Sequence, residues 1–261
     1  MSERVTAKDW KSAVLSSPFM KTMADNLNAS AKEMDPKTTP IYNAVISQVG
    51  PEGTVIDIGA GVGRFAIPLA QAGIKVTAIE PSDEMRRHLF DSIERNGLSS
   101  RINTIPSSWP VDDDLHADVI FASLVIQFSS DPEGFIRAME RSASKRCILS
   151  VHVDQPLGFL RGVWQVFRPS EAAPTMLTFP ELYTMMLNEG IIADVTIVRD
   201  QHIPGEAMEP SKIIGPLADL LGVKDSPEDM GRLREILKSR KDEILKQRLM
   251  RSAIVSWQPG R

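Results

Sequence analysis

Three closely spaced glycines and a nearby carboxylate are the residues in this sequence that point most directly to ligand binding. Gly59, Gly61 and Gly63 follow the apolar run at 55–58, which itself contains Asp57. Glycines at a strand-to-helix turn permit positive φ angles and let a ligand approach the backbone closely. The helix that follows would present unpaired N–H groups to that ligand. The stretch therefore predicts a ligand-binding turn.

The charges around this turn discriminate between nucleotide ligands. A dinucleotide fingerprint, Gly-x-Gly-x-x-Gly, requires glycine where this chain has Arg64. Asp57 would repel a pyrophosphate but could hold a cationic amino group. Glu80 lies 17 residues beyond Gly63, at the end of a second predicted strand, where a carboxylate can accept both hydroxyls of a ribose. A ligand with a ribose, an ammonium group and no phosphate fits this pattern.

Alternating strands and helices position these residues. β-rich runs are predicted at 55–58, 74–80, 101–105, 117–123 and 146–153, separated by helices or a polar loop. This rhythm favours a mostly parallel, doubly wound sheet with helices on both faces. Beyond the fifth strand, helices are predicted at 158–166, 179–187, 210–222 and 227–250, and strands at 191–198 and 252–257.

The domain organisation follows from the position of the glycine turn. Residues 1–50 are predicted to form an N-terminal helical section, which either covers an edge of the core or acts as a lid over a substrate. Residues 51–261 are predicted to form the ligand-binding domain, with a helical insertion at about 205–250 before the last strand. One large α/β domain is an ordinary size for such a chain.

Composition excludes several classes of protein. With 42% hydrophobic and 25% charged residues, the 261-residue chain is typical of a globular protein. A net charge of −4 gives no overall attraction to nucleic acid. The single cysteine, Cys147, excludes an intramolecular disulfide and fits a reducing compartment. Without a membrane-spanning stretch or an apolar signal core, the sequence predicts a cytoplasmic location with no membrane partner.

With these motifs, the sequence resembles the class I S-adenosylmethionine-dependent methyltransferases. The resemblance rests on Val-Ile-Asp-Ile-Gly-Ala-Gly-Val-Gly at 55–63, Val-Thr-Ala-Ile-Glu-Pro-Ser at 76–82 and Asp-Val-Ile-Phe-Ala-Ser at 118–123, and it covers roughly residues 50–155. It implies a Rossmann-like, seven-stranded sheet whose last strand is antiparallel. It also implies S-adenosylmethionine as cofactor, S-adenosylhomocysteine as product, and no metal.

The resemblance also implies a set of cofactor-binding residues. Asp57 and the turn would hold the methionine part, Glu80 the ribose, and the next helix the adenine; Ser123 and Leu124 would lie near the transferable methyl group. Relatives often place an acidic residue after the third strand, where this chain has Ser108 and Trp109, so Ser108 could accept weakly and Trp109 could stack or fill space. The full set is Asp57, Gly59, Ala60, Gly61, Gly63, Glu80, Pro81, Ser82, Met85, Ser108, Trp109, Ser123 and Leu124.

Two residues are candidates for acting on the methyl acceptor. Gln127 follows the fourth strand and could orient a nucleophile, with a surface glutamine as the alternative. His152, near the end of the fifth strand, could act as a general base, with a buried structural histidine as the alternative. A methyl transfer needs alignment and exclusion of water more than it needs a strong base.

A small-molecule acceptor is favoured because extra helices beside the site could enclose one, while a protein or RNA acceptor remains open. The Asn/Asp-Pro-Pro-Tyr/Phe run of amino-methylating nucleic-acid enzymes is absent after the fourth strand, where residues 122–125 read Ala-Ser-Leu-Val. The alternatives are a catalytically silent S-adenosylmethionine-binding protein or partner subunit, and an NAD(P)-dependent oxidoreductase. The sequence predicts no oligomeric state.

Overall fold

The computed structural model describes residues 35–111, 114–155, 158, 160–173, 175–199, 210–242 and 251–260. Most of the predicted N-terminal section lies outside these ranges. Its described part contains a 3-10 turn, Pro36–Thr38, and helix α1, Pro40–Ile46, which begins after the capping residue Thr39. The division at residue 50 and the lid role therefore stay predictions.

Seven strands and eight α-helices are assigned within the described ranges. The strands are β1 Thr54–Ile58, β2 Lys75–Ile79, β3 Ile102–Ile105, β4 Ala117–Ser123, β5 Ala143–His152, β6 Asp194–Arg199 and β7 Arg251–Trp257. The helices after α1 are α2 Ala66–Gln71, α3 Asp83–Arg95, α4 Pro132–Ser142, α5 Leu160–Phe167, α6 Phe179–Asn188, α7 Pro210–Leu221 and α8 Pro227–Ser239. Within the predicted helix at 227–250, α8 ends at Ser239 and residues 241–242 are again helical, while residues 243–250 lie outside the described part.

The strands form one sheet in the order β3-β2-β1-β4-β5-β7-β6. Strand β1 pairs in parallel with β2 and β4, and parallel pairing continues to β3 and β5. Strand β7 runs antiparallel to β5. The predicted doubly wound, seven-stranded fold with an antiparallel last strand is confirmed.

Each face of the sheet carries an apolar cluster, because successive side chains of a strand point to opposite faces. The clusters use neighbouring residues of the same strands: Val55, Phe121, Ile148 and Ile254 on the first face, and Ile56, Ile120, Leu149 and Val255 on the second. By the same alternation Asp57, Ser123 and His152 continue the first face toward the carboxyl edge. The apolar core thus ends in polar residues where the strands end.

The chain divides into two compact units. The larger contains the sheet and, in the described ranges, residues 35–153, 177–198 and 251–260. The smaller contains α5, α7 and α8, which bury Trp164, Leu217 and Leu233 in a core of their own. Helices α7 and α8 fall within the predicted insertion. None of the described helices combines the length and apolar character needed to cross a bilayer.

Arg168 contacts two helices of the smaller unit, α5 and α7. The Arg168 guanidinium lies over the Trp164 ring at 5.3 Å, and its Nη2 donates to the Leu221 carbonyl at 3.0 Å. That carbonyl ends α7, where an unpaired acceptor and the negative end of the helix dipole favour a cation. Arg168 is therefore a packing and capping residue.

Candidate functional site

The predicted site residues meet where the parallel strands β1, β2 and β4 end. Gly59, Glu80 and Leu124 are the first residues beyond these strands. The register pairs Ile58 with both Ile79 and Ala122, so the three chain segments leave the sheet side by side. In open α/β sheets, ligands bind outside the carboxyl ends of the strands.

The glycine turn depends on two glycines for different reasons. Gly59 has φ +70° and packs against the turn after β4, because a Cβ there would lie 2.5 Å from Val125 Cγ2. Gly61 has φ +57°, but a Cβ there would meet no atom within 4 Å. Gly59 therefore serves packing, whereas Gly61 leaves the face of the turn open to a ligand.

Glu80 is buried and anchored to the glycine turn. Its side chain is only 7% exposed. The Gly61 N–H donates to Oε2 at 2.9 Å, and the Ser82 N–H donates to Oε1 at 2.8 Å. Burial raises the pKa of this carboxyl group, while these two backbone donors and Arg86 act in the opposite direction. Each carboxylate oxygen keeps a second acceptor position, so the geometry is suited to binding hydroxyl groups.

Asp57 is the second buried carboxylate at this edge. Its side chain is 2% exposed and accepts the Ala66 N–H, while Oδ2 has no hydrogen-bond partner. Burial, and secondarily the negative charge of Glu80, raises the pKa of Asp57 to about 8. A buried polar atom without a partner is uncommon in folded proteins. The pair Asp57–Glu80 therefore suits a cationic ligand and disfavours a phosphate.

The turn after β4 is held in an unusual conformation. Leu124 has φ +58°, which non-glycine residues seldom adopt. Its N–H donates to the Ser150 carbonyl at 2.9 Å, and the next residue, Val125, packs on Gly59. Such strain persists where surrounding contacts fix it, and it is frequent at functional sites. Ser123 and Leu124 are thus fixed next to the glycine turn.

Gln127 is buried. The alternative prediction, that it is a surface glutamine with no role in orienting a nucleophile, is therefore wrong about its position. It lies in the 3-10 turn Ile126–Phe128 and is 3% exposed. Its Oε1 is buried and has no hydrogen-bond partner. Burial follows from its place in a short turn whose neighbour Ile126 enters the second apolar cluster. A spacing pattern in the sequence would not reveal this, because the turn is too short to have one.

His152 ends β5 on the same face of the sheet as Asp57 and Ser123. It is half-buried, and its Nδ1 lies 3.5 Å from Ser252 Oγ. Ser252, fully buried on β7, was missed from sequence, because the pairing of β5 with β7 joins residues one hundred positions apart. The sequence marked Ser252 only as the first residue of the last predicted strand.

The residues predicted to border the adenine differ in their burial and contacts. Ser82 caps α3 by accepting the Met85 N–H at 3.3 Å, and Met85 is buried, whereas Pro81 is exposed. Ser108 is exposed, and Trp109 packs edge-on against Phe135 and donates its indole N–H to the Phe135 carbonyl at 3.1 Å. These contacts of Trp109 are those of a space-filling residue.

Other reactive residues lie apart from this edge. Cys147 is fully buried in β5, and burial raises the pKa of its thiol, so it behaves as a small apolar residue. His116 pairs with Asp114 on the surface at 2.9 Å. Across the described ranges, no group of three histidine, cysteine or acidic side chains is arranged to hold a metal. An open cavity of about 550 Å³ beside Trp109 and Leu115 does not include Asp57 or Glu80.

Comparison with known proteins agrees with this geometry. Residues 56–151 match a family described as a methyltransferase domain. An uncharacterized protein of Haemophilus influenzae is 31% identical over 176 residues, which are 64% of this chain and 63% of that protein. The chain thus spans just under two thirds of that relative's length.

Solved structures share the fold. A methyltransferase from Geobacter sulfurreducens, in complex with S-adenosyl-L-homocysteine, aligns with a TM-score of 0.56 and 17% identity, covering 91% of this chain and 98% of the other. A putative sarcosine dimethylglycine methyltransferase from Galdieria sulphuraria aligns with a TM-score of 0.53 and 14% identity, covering 84% and 82%. Residues 56–151 thus match the methyltransferase domain family, and the seven-stranded sheet has the Rossmann-like fold of these class I S-adenosylmethionine-dependent methyltransferases.

Proposed function

We propose that the chain binds S-adenosylmethionine at the carboxyl edge of its sheet and transfers the methyl group to a small-molecule acceptor. The observation that carries the proposal is the buried carboxylate pair, Asp57 and Glu80, together with the open face of Gly61, whose N–H donates to Glu80. Negative charge without a compensating cation in a buried site is costly, so a cationic ligand is favoured there. The proposal extends the match between residues 56–151 and a methyltransferase domain to the activity of this chain.

The cofactor-binding roles follow from the chemistry of each group. Asp57 would hold the amino group through its unpartnered Oδ2, and Glu80 the ribose hydroxyls. The turn at 59–61 would lie under the methionine part, and Pro81, Ser82 and Met85 would border the adenine. When bound, S-adenosylmethionine supplies a methyl group activated by its sulfonium charge. Ser108 and Trp109 keep only a peripheral part in this proposal.

The acceptor side is assigned to residues at the carboxyl ends of β4 and β5 and in the turn after β4. Ser123 and Leu124 would lie near the methyl group, because the strained turn fixes them beside Gly59. Gln127 would orient the methyl acceptor through its unpartnered Oε1. His152 would take up the proton that the acceptor loses. Orientation of this kind is the main contribution that a protein makes to an in-line displacement.

A small acceptor is supported by the fold neighbours, one of which is described as a sarcosine dimethylglycine methyltransferase. A protein or RNA acceptor is the alternative within the same activity. The oxidoreductase alternative is disfavoured because the ionised forms of the buried carboxyl groups Asp57 and Glu80 would repel a pyrophosphate at this turn. A catalytically silent S-adenosylmethionine-binding protein would make the same cofactor contacts. Only a measurement of turnover separates it from an active methyltransferase.

Calorimetry with S-adenosylhomocysteine and with NADH tests the cofactor assignment. We expect binding of the former and no heat with the latter. Tight NADH binding without a response to S-adenosylhomocysteine would exclude the proposal. A second experiment incubates the protein and a labelled methyl donor with a cell extract fractionated by size. Label transferred to the low-mass fraction supports a small acceptor, whereas label in no fraction favours the silent binder.

Replacing Glu80 with alanine is expected to weaken S-adenosylhomocysteine binding by about 1–3 kcal/mol, or roughly 5- to 150-fold. The physical reason is the loss of a buried acceptor for the ribose hydroxyls. Calorimetry measures the change, and Glu80→Gln, which keeps one acceptor oxygen, should lose less. Glu84→Ala removes a carboxylate from the first turn of α3 and serves as the control. Equal affinity of Glu80→Ala and the wild type would remove Glu80 from the site.

A further inference from the structure

Strand β6 forms one edge of the sheet. Its neighbour in the strand order is β7, and within the described residues no strand lies along its other side. An edge of this kind presents backbone N–H and C=O groups that can pair with another strand. Natural edges are often protected by lysine or proline, but residues 194–199 contain neither, and their two charges, Asp194 and Arg199, stand at the ends. The middle of the edge therefore carries no residue that opposes pairing.

Exposed apolar side chains are concentrated on β6 and the segment before it. Among the described residues, five large hydrophobic side chains are exposed, and four of them fall between positions 187 and 197. These four are Leu187, Ile192, Val195 and Ile197, which are between 37% and 83% exposed. The fifth, Phe90, lies on α3. Single exposed apolar residues are ordinary, whereas a group of them on an open edge strand indicates an interaction surface.

Alternation along β6 places two of these side chains on one face of the sheet. Ala193 packs against the second apolar cluster, and Val198 packs against the first. Val195 and Ile197 therefore point to the same face as Ala193, while Thr196 points to the face of Val198. The second face is thus packed just before β6 and uncovered along the strand itself.

We propose that β6 pairs in antiparallel fashion with β6 of a second copy of this chain, so that two sheets join into one across a twofold axis. An axis normal to the sheet leaves each side chain on its own face, so the residue on the axis lies opposite the same residue of the other copy. With Thr196 on the axis, Val195 of each copy lies opposite Ile197 of the other. The exposed apolar residues of β6 then cover one another.

The sequence of β6 is self-complementary in this register. Directly opposed β-branched residues stabilise antiparallel strands, and like charges directly opposed destabilise them. The register forms a Thr196–Thr196 pair and, by symmetry, two Val195–Ile197 pairs. Asp194 and Arg199 lie opposite uncharged residues, Val198 and Ala193. A strand of another protein would have to match this pattern, whereas a second copy supplies it by symmetry.

Sedimentation velocity of the full chain over a range of concentrations tests the proposal. We expect a reversible dimer for the wild type. Val195→Lys should raise the dissociation constant of the dimer by about tenfold or more, because two charged side chains would replace apolar ones at the interface. Phe90→Lys is the matched control, since it also replaces an exposed apolar residue but lies on α3, which leads into β3 at the opposite edge of the sheet. It should dimerise as the wild type does, and thermal unfolding verifies that both variants are folded.

Thr196→Cys tests the register. On the axis, this position lies opposite itself with a Cβ–Cβ separation of roughly 5 Å, from which a small shift allows a disulfide. The natural thiol, Cys147, is fully buried, so crosslinking reports on position 196. Mild oxidation should give a covalent dimer of Thr196→Cys, and of the control Phe90→Cys much more slowly. The proposal is overturned by a wild type that is monomeric at every concentration, by a Val195→Lys variant that dimerises as strongly as the wild type, or by equal crosslinking of the two cysteine variants.

Discussion

The Gly61→Ala variant is expected to lose S-adenosylhomocysteine binding by about 100-fold or more while remaining folded. An alanine at φ +57° costs roughly 1–2 kcal/mol, since a Cβ disfavours the left-handed region. In the free protein this Cβ meets no atom within 4 Å, so the core is not disturbed. The added methyl group would occupy the space above the turn that we assign to the cofactor. Calorimetry and thermal unfolding separate the two effects.

Gly97→Ala provides a closely matched control. Gly97 has φ +64°, its Cβ would also meet nothing within 4 Å, and it follows α3 rather than the binding turn. The two variants should therefore lose similar stability, and only Gly61→Ala should lose ligand binding. Normal affinity in Gly61→Ala would show that the open face of the turn is not the ligand's position.

The second large effect is expected for Asp57→Asn, which should stabilise the free protein at alkaline pH. Burial raises the pKa of Asp57 from its ordinary value of 3.8 to about 8, so the folded protein binds this proton more tightly than the unfolded chain does. The free energy of unfolding of the wild type therefore falls as pH rises from about 4 to about 8. Asparagine removes this loss because it carries no charge to bury.

The stability gap between Asp57→Asn and the wild type should widen by roughly 2–4 kcal/mol between about pH 5 and about pH 8.5. Thermal or urea unfolding across this range measures it. Asp91→Asn, at an exposed position of α3, is the control and should show no such trend. A gap that does not change with pH would mean that Asp57 is already ionised in the folded protein at low pH.

Ligand binding should favour the wild type over Asp57→Asn, although the variant is the more stable of the two in the free state. A cationic amino group at Asp57 would lower its pKa, so binding below about pH 8 should release a proton. Calorimetry in buffers of different ionisation enthalpy detects the release. Asp57→Asn should release none and should bind more weakly, because it gains stability by giving up the charge that the ligand requires.

Much of the sheet could be predicted from sequence because its strands are short, buried and separated by clear turn signals. The bounds of β4 agree with the residues predicted, and the glycine turn and Glu80 meet at the carboxyl edge where we propose that the cofactor binds. These features are local: each depends on residues within one strand-turn-helix segment. The family's strand order then supplied the long-range arrangement, including the antiparallel β7.

Features that depend on contacts between distant segments could not be predicted. The burial of Gln127 depends on how a three-residue turn packs, and no periodic pattern marks it. The pairing of His152 with Ser252 depends on the register between β5 and β7. Similarly, the anchoring of Glu80 by the Gly61 N–H requires the relative placement of β1 and β2. Electrostatic coupling of Asp57 to Glu80 follows from that placement.

The position of β7 between β5 and β6 has a consequence for folding during synthesis. β6 is made before β7, yet its neighbour in the sheet is β7. While a ribosome is still translating residues 200–250, β6 has no strand beside it, and an unpaired strand edge exposes the nascent chain to wrong pairing. The central parallel strands can assemble earlier, whereas β6 joins the sheet only after residues 251–257 emerge. Ser252, which pairs with His152 across β5 and β7, is added in the same step.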